Sequence, residues 1–405
     1  TSRLRGDIVI DEQGGQVFVT AGDSVAVHDL QGNLVRTIPD QAGALDLMLR
    51  GRTLYVVAAS AHRINMIDAD SLTAVGGWSV ASAPWPRNMA WSAGRIWFTY
   101  GHQWSGGLAS LDPATGTVEG PLATNLYGQG DIVATESPAR VYVLNRGSSP
   151  SKVHAYDVTT DPPTLLARTP HDNTCANGSE VAVSADGARL WTACGAPYGF
   201  SEFDTAALGA ATLRYQGEPY PVAVDSSTDG RFVVGGSWSP YRPDVFVCRI
   251  GQVTPLRTFE LGVRSYHADG MLAISADGSR IYVVSEGGTL HVLKTTPTVT
   301  SVAPAEVPMR TATEIVIRGT GLATVDHVTI GGRAVRFEVV DDSEVRATTP
   351  RLRPGRHPVV LTNAFGPNDP ADATVTARSP GHLPVKPPTP AGQVRVPPRS
   401  SLIPG

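Results

Sequence analysis

Lysine is nearly missing from this 405-residue chain. It stands only at positions 152, 294 and 386, so arginine carries almost all of the positive charge. Charged residues of either sign make up just 17%, and the formal net charge is −4. Residues 351–405 hold seven Lys or Arg against Asp369 and Asp372, which leaves the rest of the chain more acidic than the total suggests. A mildly acidic body without clustered cations suits no phosphate backbone, so DNA and RNA are excluded as partners. No apolar run approaches the ~18–20 residues of a bilayer-spanning helix. HExxH, G-x-S-x-G, Walker and G-x-G-x-x-G patterns are all absent. The three cysteines show neither CxxC nor Cys/His zinc spacing. Thr1 is not preceded by the charged and apolar regions of an export signal, which places any such signal outside this stretch.

What is abundant is glycine, at 42, and proline, at 32. They punctuate the chain too often for long helices and exclude an all-α bundle. The length exceeds what one hydrophobic core usually serves, so two or more domains are expected. Arginine in place of lysine, beside plentiful Ala, Gly and Val, suits a high-GC bacterial chain.

A short apolar strand recurs seven times in residues 1–295: Val17-Phe18-Val19, Leu54-Tyr55-Val56-Val57, Ile96-Trp97-Phe98, Val141-Tyr142-Val143-Leu144, Leu190-Trp191, Phe232-Val233-Val234 and Ile281-Tyr282-Val283-Val284. Each copy follows another strand and a polar turn, such as Val181-Ala182-Val183-Ser184 before Ala185-Asp186-Gly187. Five copies are followed by a third strand ending at Asp29, Asp68, Asp112, Asp157 or Asp204. Four short antiparallel strands per ~40–50 residues are the signature of a propeller blade, and seven copies predict seven blades. The Ser-Ala-Asp-Gly turns leading into aliphatic-Tyr-Val-Val strands resemble the YVTN-type bacterial propellers. That likeness implies a fold and no particular activity. Blade seven ends near His291-Val292-Leu293 without a clear fourth strand. Ring closure is therefore expected to use residues upstream or to leave three strands.

From Pro297 the pattern changes. Glu314-Ile315-Val316-Ile317-Arg318-Gly319, Val328-Thr329-Ile330-Gly331-Gly332 and Pro358-Val359-Val360-Leu361 alternate between turns as the strands of a small β-sandwich do. Their order over 297–378 resembles an IPT/TIG domain, an immunoglobulin-like module, and implies a spacer or binding role outside the cell. Residues 379–405 carry eight prolines and read as a semi-rigid linker, which allows for a larger polypeptide or complex. The expected fold class is thus all-β.

Cys175 and Cys194 belong to one blade. The first lies ahead of a strand beginning at Glu180, the second at the end of the next strand, so both fall on one face within bridging reach. A disulfide there predicts an oxidising, secreted or cell-surface location. Cys248 reads as a buried free thiol.

Sorting residues by loop separates the two propeller faces. One face carries bland turns such as Ser184-Ala185-Asp186-Gly187. The other, here called the top, gathers Trp85, His102, Trp104, Tyr127, Tyr198, Tyr220, Trp238, Tyr241, Arg242, Tyr266 and His267. Trp and Tyr combine apolar area with a polar handle and are enriched where proteins bind. Trp85, Trp104, Tyr127, Trp238, Tyr241, Tyr266 and His267 are therefore the candidate ligand contacts. First strands open at Asp7, Asp46, Asn88, Asp131, Glu180, Pro221 and Met271. The four carboxylates aim at one channel mouth, where they call for a cation such as calcium, a basic ligand group or raised pKa values. The alternative is that each acid hydrogen-bonds a neighbouring blade. Of the histidines, 28, 154 and 291 fall in third strands, while 62, 102, 171 and 267 fall in top loops.

Three functions follow. The first is a non-enzymatic recognition module whose top face binds a glycan or partner protein, with the second domain as spacer. The second is a metal-dependent lyase or lactonase using His267 or His102 with Glu180, which rests on propeller analogy alone. The third is an architectural subunit of a secreted toxin or cell-surface assembly.

Overall fold

The computed structural model describes residues 3–102, 105–126, 130–146, 149–170, 175–196, 198–238, 243–262 and 267–379. Among them the only helices are two single turns, Ala59–Ala61 and Leu322–Thr324, and none is long and apolar enough to cross a membrane. The chain divides into two compact units, the first comprising Thr1–Pro297 with Thr362–Pro367, the second Thr298–Leu361 and Asn368–Gly405.

The first unit is a seven-bladed β-propeller. Six sheets contain four consecutive antiparallel strands each, and the seventh, from His267 to Lys294, contains three among the described residues. In blade one the order is Ile8–Asp11, Gln16–Thr20, Val25–Asp29 and Leu34–Ile38, with Phe18 opposite both Val9 and Val27. Burial decreases from the second strand outward. Phe232–Ser237, a second strand, is buried at every residue, whereas the fourth strand Leu34–Ile38 is exposed at all but one. A strand covered on both faces reads as an unbroken apolar run, which is why these strands dominated the sequence repeat.

The apolar core consists of seven clusters, one at each junction between neighbouring blades. Phe18, Leu47 and Val56 meet between blades one and two, and Trp97, Ile132 and Val143 between three and four. Trp191, Val224 and Phe246 fill the junction of blades five and six. Phe365, which belongs to the first unit, stacks on Phe232 with ring centroids 4.6 Å apart. Where the ring closes, blade seven packs directly on blade one. Ile8, Val17 and Val19 pack on Met271, Tyr282 and Val284, while Tyr282 donates to the Leu30 carbonyl (2.9 Å) and the Ala276 N–H to Glu12 (2.6 Å).

The polar turns are held locally. Ser184 donates to Asp186 (2.5 Å), Ser227 to Asp229 (2.7 Å) and Ser275 to Asp277 (2.9 Å), with Gly187, Gly230 and Gly278 at positive φ closing each loop. The second unit is an immunoglobulin-like sandwich. One sheet contains Thr298–Ala303, Glu314–Thr320, Glu344–Thr348 and Phe337–Asp341, and the other is built around Thr374–Arg378, Gly355–Asn363 and His327–Ile330. Ile315, Ile317, Val345, Val359, Leu361 and Val375 form its core. The proline-rich stretch from residue 380 lies outside the described residues.

Candidate functional site

The channel carboxylates fasten one blade to the next. Asp7 accepts the backbone N–H of Leu47 (2.9 Å), Asp46 that of Met89 (2.8 Å) and Asp131 that of Val181 (2.7 Å). Glu180 accepts the Val224 N–H (2.7 Å), and Asp225 that of Ile274 (3.0 Å). Each bond runs from the first strand of one blade to the first strand of the following one. Blade three has Asn88 at this position and is joined differently, by Thr99 Oγ1 donating to Gly130 O (2.8 Å) and Ser92 Oγ to Thr135 O (2.7 Å).

Pro221 opens the first strand of blade six, as expected. Counted back from the bottom turn, however, the equivalent of Glu180 is Ala223. A fifth acid, Asp225, stands two residues further along the same face, the spacing at which strand side chains return to one side. Burial pushes the Asp7 carboxyl up to about 7, helped by the charges of Asp131 and Asp225, and pushes Asp225 up to about 6. Asp46 and Glu180 are likewise held well above the ordinary carboxylate range by burial first, then by Asp7 and Asp131 respectively. Among the described residues, no three His, Cys, Asp or Glu side chains gather closely enough to hold a metal ion.

The top face carries two aromatic clusters. In blades two and three, Trp85 lies between His62 (centroids 4.8 Å) and His102 (5.1 Å), and its backbone N–H donates to His62 Nδ1 (3.0 Å). Arg87 is half-buried beside it. Burial and the nearby Arg146 lower the Arg87 pKa. In blades five and six, Tyr198, Tyr220 and Trp238 form a chain of edge-to-face contacts at 5.9 and 6.2 Å. Trp238 Nε1 donates to Glu286 of blade seven (3.4 Å). These three rings are 53%, 46% and 42% exposed, although they are large and apolar.

Trp85 and Tyr220 share a further feature that sequence reasoning missed. Each is followed by a proline that opens a first strand, and each has a left-handed backbone, with φ of 60° and 62°. For a bulky residue that conformation costs about 1–2 kcal/mol and persists only where the surroundings enforce it. The repeated aromatic-Pro pair was the signal available. Trp104, Tyr127, Tyr241, Arg242, Tyr266 and His171 lie outside the described residues. His267 opens the strand His267–Ile274 and is not in a loop as expected. Among the described residues no contact joins His102 to Glu180, the pair required for acid–base chemistry.

Cys175 and Cys194 are bonded, with Cα atoms 5.1 Å apart, and Cys248 is free and buried. The strand after Cys175 begins at Ala176, earlier than the expected Glu180, because a register shift between Gly178 and Glu180 lets Asn177-Gly178 lie inside the strand.

Residues 297–376 match the model of the IPT/TIG domain. This module is an IPT/TIG domain. No curated protein matches the chain. Among solved structures, Kuenenia stuttgartiensis hydrazine synthase is similar at 16% identity and a TM-score of 0.58, over 72% of this chain and 96% of that one. A KlHsv2 variant with loop 6CD replaced by a Gly-Ser linker is similar at 12% identity and a TM-score of 0.53, over 72% and 93%. At such identities the likeness is one of fold.

Proposed function

We propose that this chain is an exported, non-enzymatic bacterial recognition module, whose propeller top face binds a glycan and whose IPT/TIG domain serves as spacer. The observation that carries this reading is the exposed Tyr198–Tyr220–Trp238 chain ending at Glu286. It offers ring faces for stacking on sugar carbons and a carboxylate to accept their hydroxyls, with a backbone conformation that fixes Tyr220 in place. The disulfide supports an oxidising compartment. The channel carboxylates are read as fastenings, so binding is expected to be independent of calcium.

The test is binding of the full chain to an array of glycans and cell-wall polysaccharides, with and without calcium, beside the Trp238→Ala and Tyr198→Ala variants. A hit weakened about tenfold or more by either variant supports the reading. A hit untouched by both overturns it, and a blank array transfers the top face to a protein partner. A hit lost on chelation returns Asp7, Asp46, Asp131 and Glu180 to a calcium site.

A further inference from the structure

Arginines 310, 333, 336, 351 and 353 of the IPT/TIG domain are scattered along the chain and form no basic run. Backbone bonds gather them at one end of the sandwich. Arg310 N–H donates to Leu352 O (2.9 Å), which seats Arg310 beside both Arg351 and Arg353. Thr349 N–H donates to Thr313 O (2.8 Å) and Thr348 N–H to Arg336 O (3.2 Å), so Arg336 stands at the same strand ends. Gly331 N–H donates to Pro358 O (2.9 Å) and His357 Nε2 to Arg353 O (2.8 Å), which draws in the hairpin that carries Arg333.

The local structure turns these side chains to solvent. Leu352 is buried in the domain core, whereas Arg351 and Arg353 on either side of it are exposed. Pro350 and Pro354 restrict the backbone around them. Arg310, Arg333 and Arg336 are exposed as well, and Arg310 holds a left-handed backbone, with φ of 58°, where its N–H meets Leu352 O.

Opposite charge is sparse at this end. Its acids are Glu306, which is bonded to Arg378, and the exposed Glu314. Among the described residues, none of the five clustered guanidinium groups has a hydrogen bond or an ion pair. Toward the other end of the sandwich the balance reverses. Asp342 accepts the N–H groups of Gly321 (3.1 Å) and Ala323 (3.2 Å), Asp341 accepts that of Ser343 (2.7 Å), and Arg318 and Arg346 both pair with Glu344 (2.7 and 3.0 Å). The cations there are neutralised, and those of the cluster are not. Like charges held together without acids raise the local potential and attract a polyanion. The planar guanidinium fork matches a carboxylate with two parallel hydrogen bonds.

We propose that this end of the IPT/TIG domain binds an acidic polysaccharide. Arg310, Arg351 and Arg353 take its carboxylates, and Arg333 and Arg336 extend the contact along the polymer. The choice of polysaccharide over nucleic acid rests on the exported reading of the chain, which the Cys175–Cys194 bond supports. The domain is then a second contact as well as a spacer, and it acts without the top-face aromatics.

The test uses the full chain and immobilised polygalacturonate, each of whose sugars bears a carboxylate, with surface plasmon resonance as readout. Binding is expected to saturate, to weaken with rising salt and to vanish on the methyl-esterified polymer. Replacing Arg351 and Arg353 together by Gln should weaken it about tenfold or more and leave the unfolding midpoint in place, because both side chains are exposed and unbonded. Arg318→Gln and Trp238→Ala should each leave the affinity unchanged. No saturable binding, equal binding of the esterified polymer, or full affinity in the double variant would overturn the proposal. Duplex DNA bound as tightly as polygalacturonate would overturn it too, and would count against the exported reading. A loss in Trp238→Ala with none in the double variant would transfer the polymer to the top face and leave the recognition reading standing.

Discussion

Trp191 and Trp238 stand in consecutive blades and do opposite things. Trp191 is fully buried between blades five and six, with its indole N–H donated to Glu202 (3.0 Å), itself bonded to Tyr215 and near Arg189. Trp238 is 42% exposed and leans on Tyr220. The same contrast holds for carboxylates. The channel acids are committed to blade-to-blade N–H bonds, while Glu286, among the described residues, accepts the long bond from Trp238 at the rim. What separates architecture from recognition in this fold is whether a residue's bonding capacity and apolar area are already used inside the ring, and residue type does not decide it.

The sharpest way to break the contrast is to truncate the buried member. Trp191→Ala should cost about 3–5 kcal/mol, measured by denaturant unfolding, because it opens a cavity and removes a partner of a buried carboxylate. Trp238→Ala should stay within about 0.5 kcal/mol of the parent. Equal losses would mean that the rim is part of the core. Next in size is the blade-five disulfide, which closes a loop of 19 residues. Replacing both Cys175 and Cys194 by Ser should cost about 3 kcal/mol by the chain-entropy relation, without moving any top-face affinity.

The carboxylates yield a pH test whose sign is unusual. A group whose folded pKa is raised holds its proton longer in the folded than in the unfolded chain, so stability falls as pH rises between the two values. For Asp7 that window runs from 3.8 to about 7, and for Asp225 from 3.8 to about 6. The unfolding midpoint should therefore decline from about pH 4 to about pH 7, and Asp7→Asn should flatten the upper part of that decline. A midpoint that rises across this range would show that the ring is stabilised by bound cations and not by shared protons.

Most of the ring was legible because second strands are covered on both faces, and unbroken apolar runs such as Val141–Leu144 carry that burial directly into sequence. The first strands were harder. Asn177-Gly178 and Asp269-Gly270 lie inside strands at register shifts, ahead of the expected starts of blades five and seven at Glu180 and Met271. Asp225 was missed because the acid sits two positions beyond Ala223, the equivalent of Glu180, a shift that preserves the face and therefore leaves the alternation unchanged. That each acid bonds a neighbouring blade stood only as an alternative to a cation site, since the partners are backbone N–H groups of any residue type and leave no pattern in the sequence. The bridge between Cys175 and Cys194 was readable, because both cysteines fall in one blade.

The smallest expected effect is also the cleanest separation of the two roles. Tyr220 holds a left-handed backbone before Pro221, a conformation that glycine adopts without the steric penalty. Tyr220→Gly removes a ring that is nearly half exposed, so it loses little burial, and the relief of strain opposes the extra entropy of glycine in the unfolded chain. The two contributions are each about 1 kcal/mol and nearly cancel, so the unfolding midpoint should stay where it is. Glycan affinity should nevertheless fall as far as it does in Trp238→Ala, because the ring joining Tyr198 to Trp238 is gone. If stability drops and affinity does not, Tyr220 belongs with Trp191 on the architectural side, and its backbone conformation serves the fold of blade six.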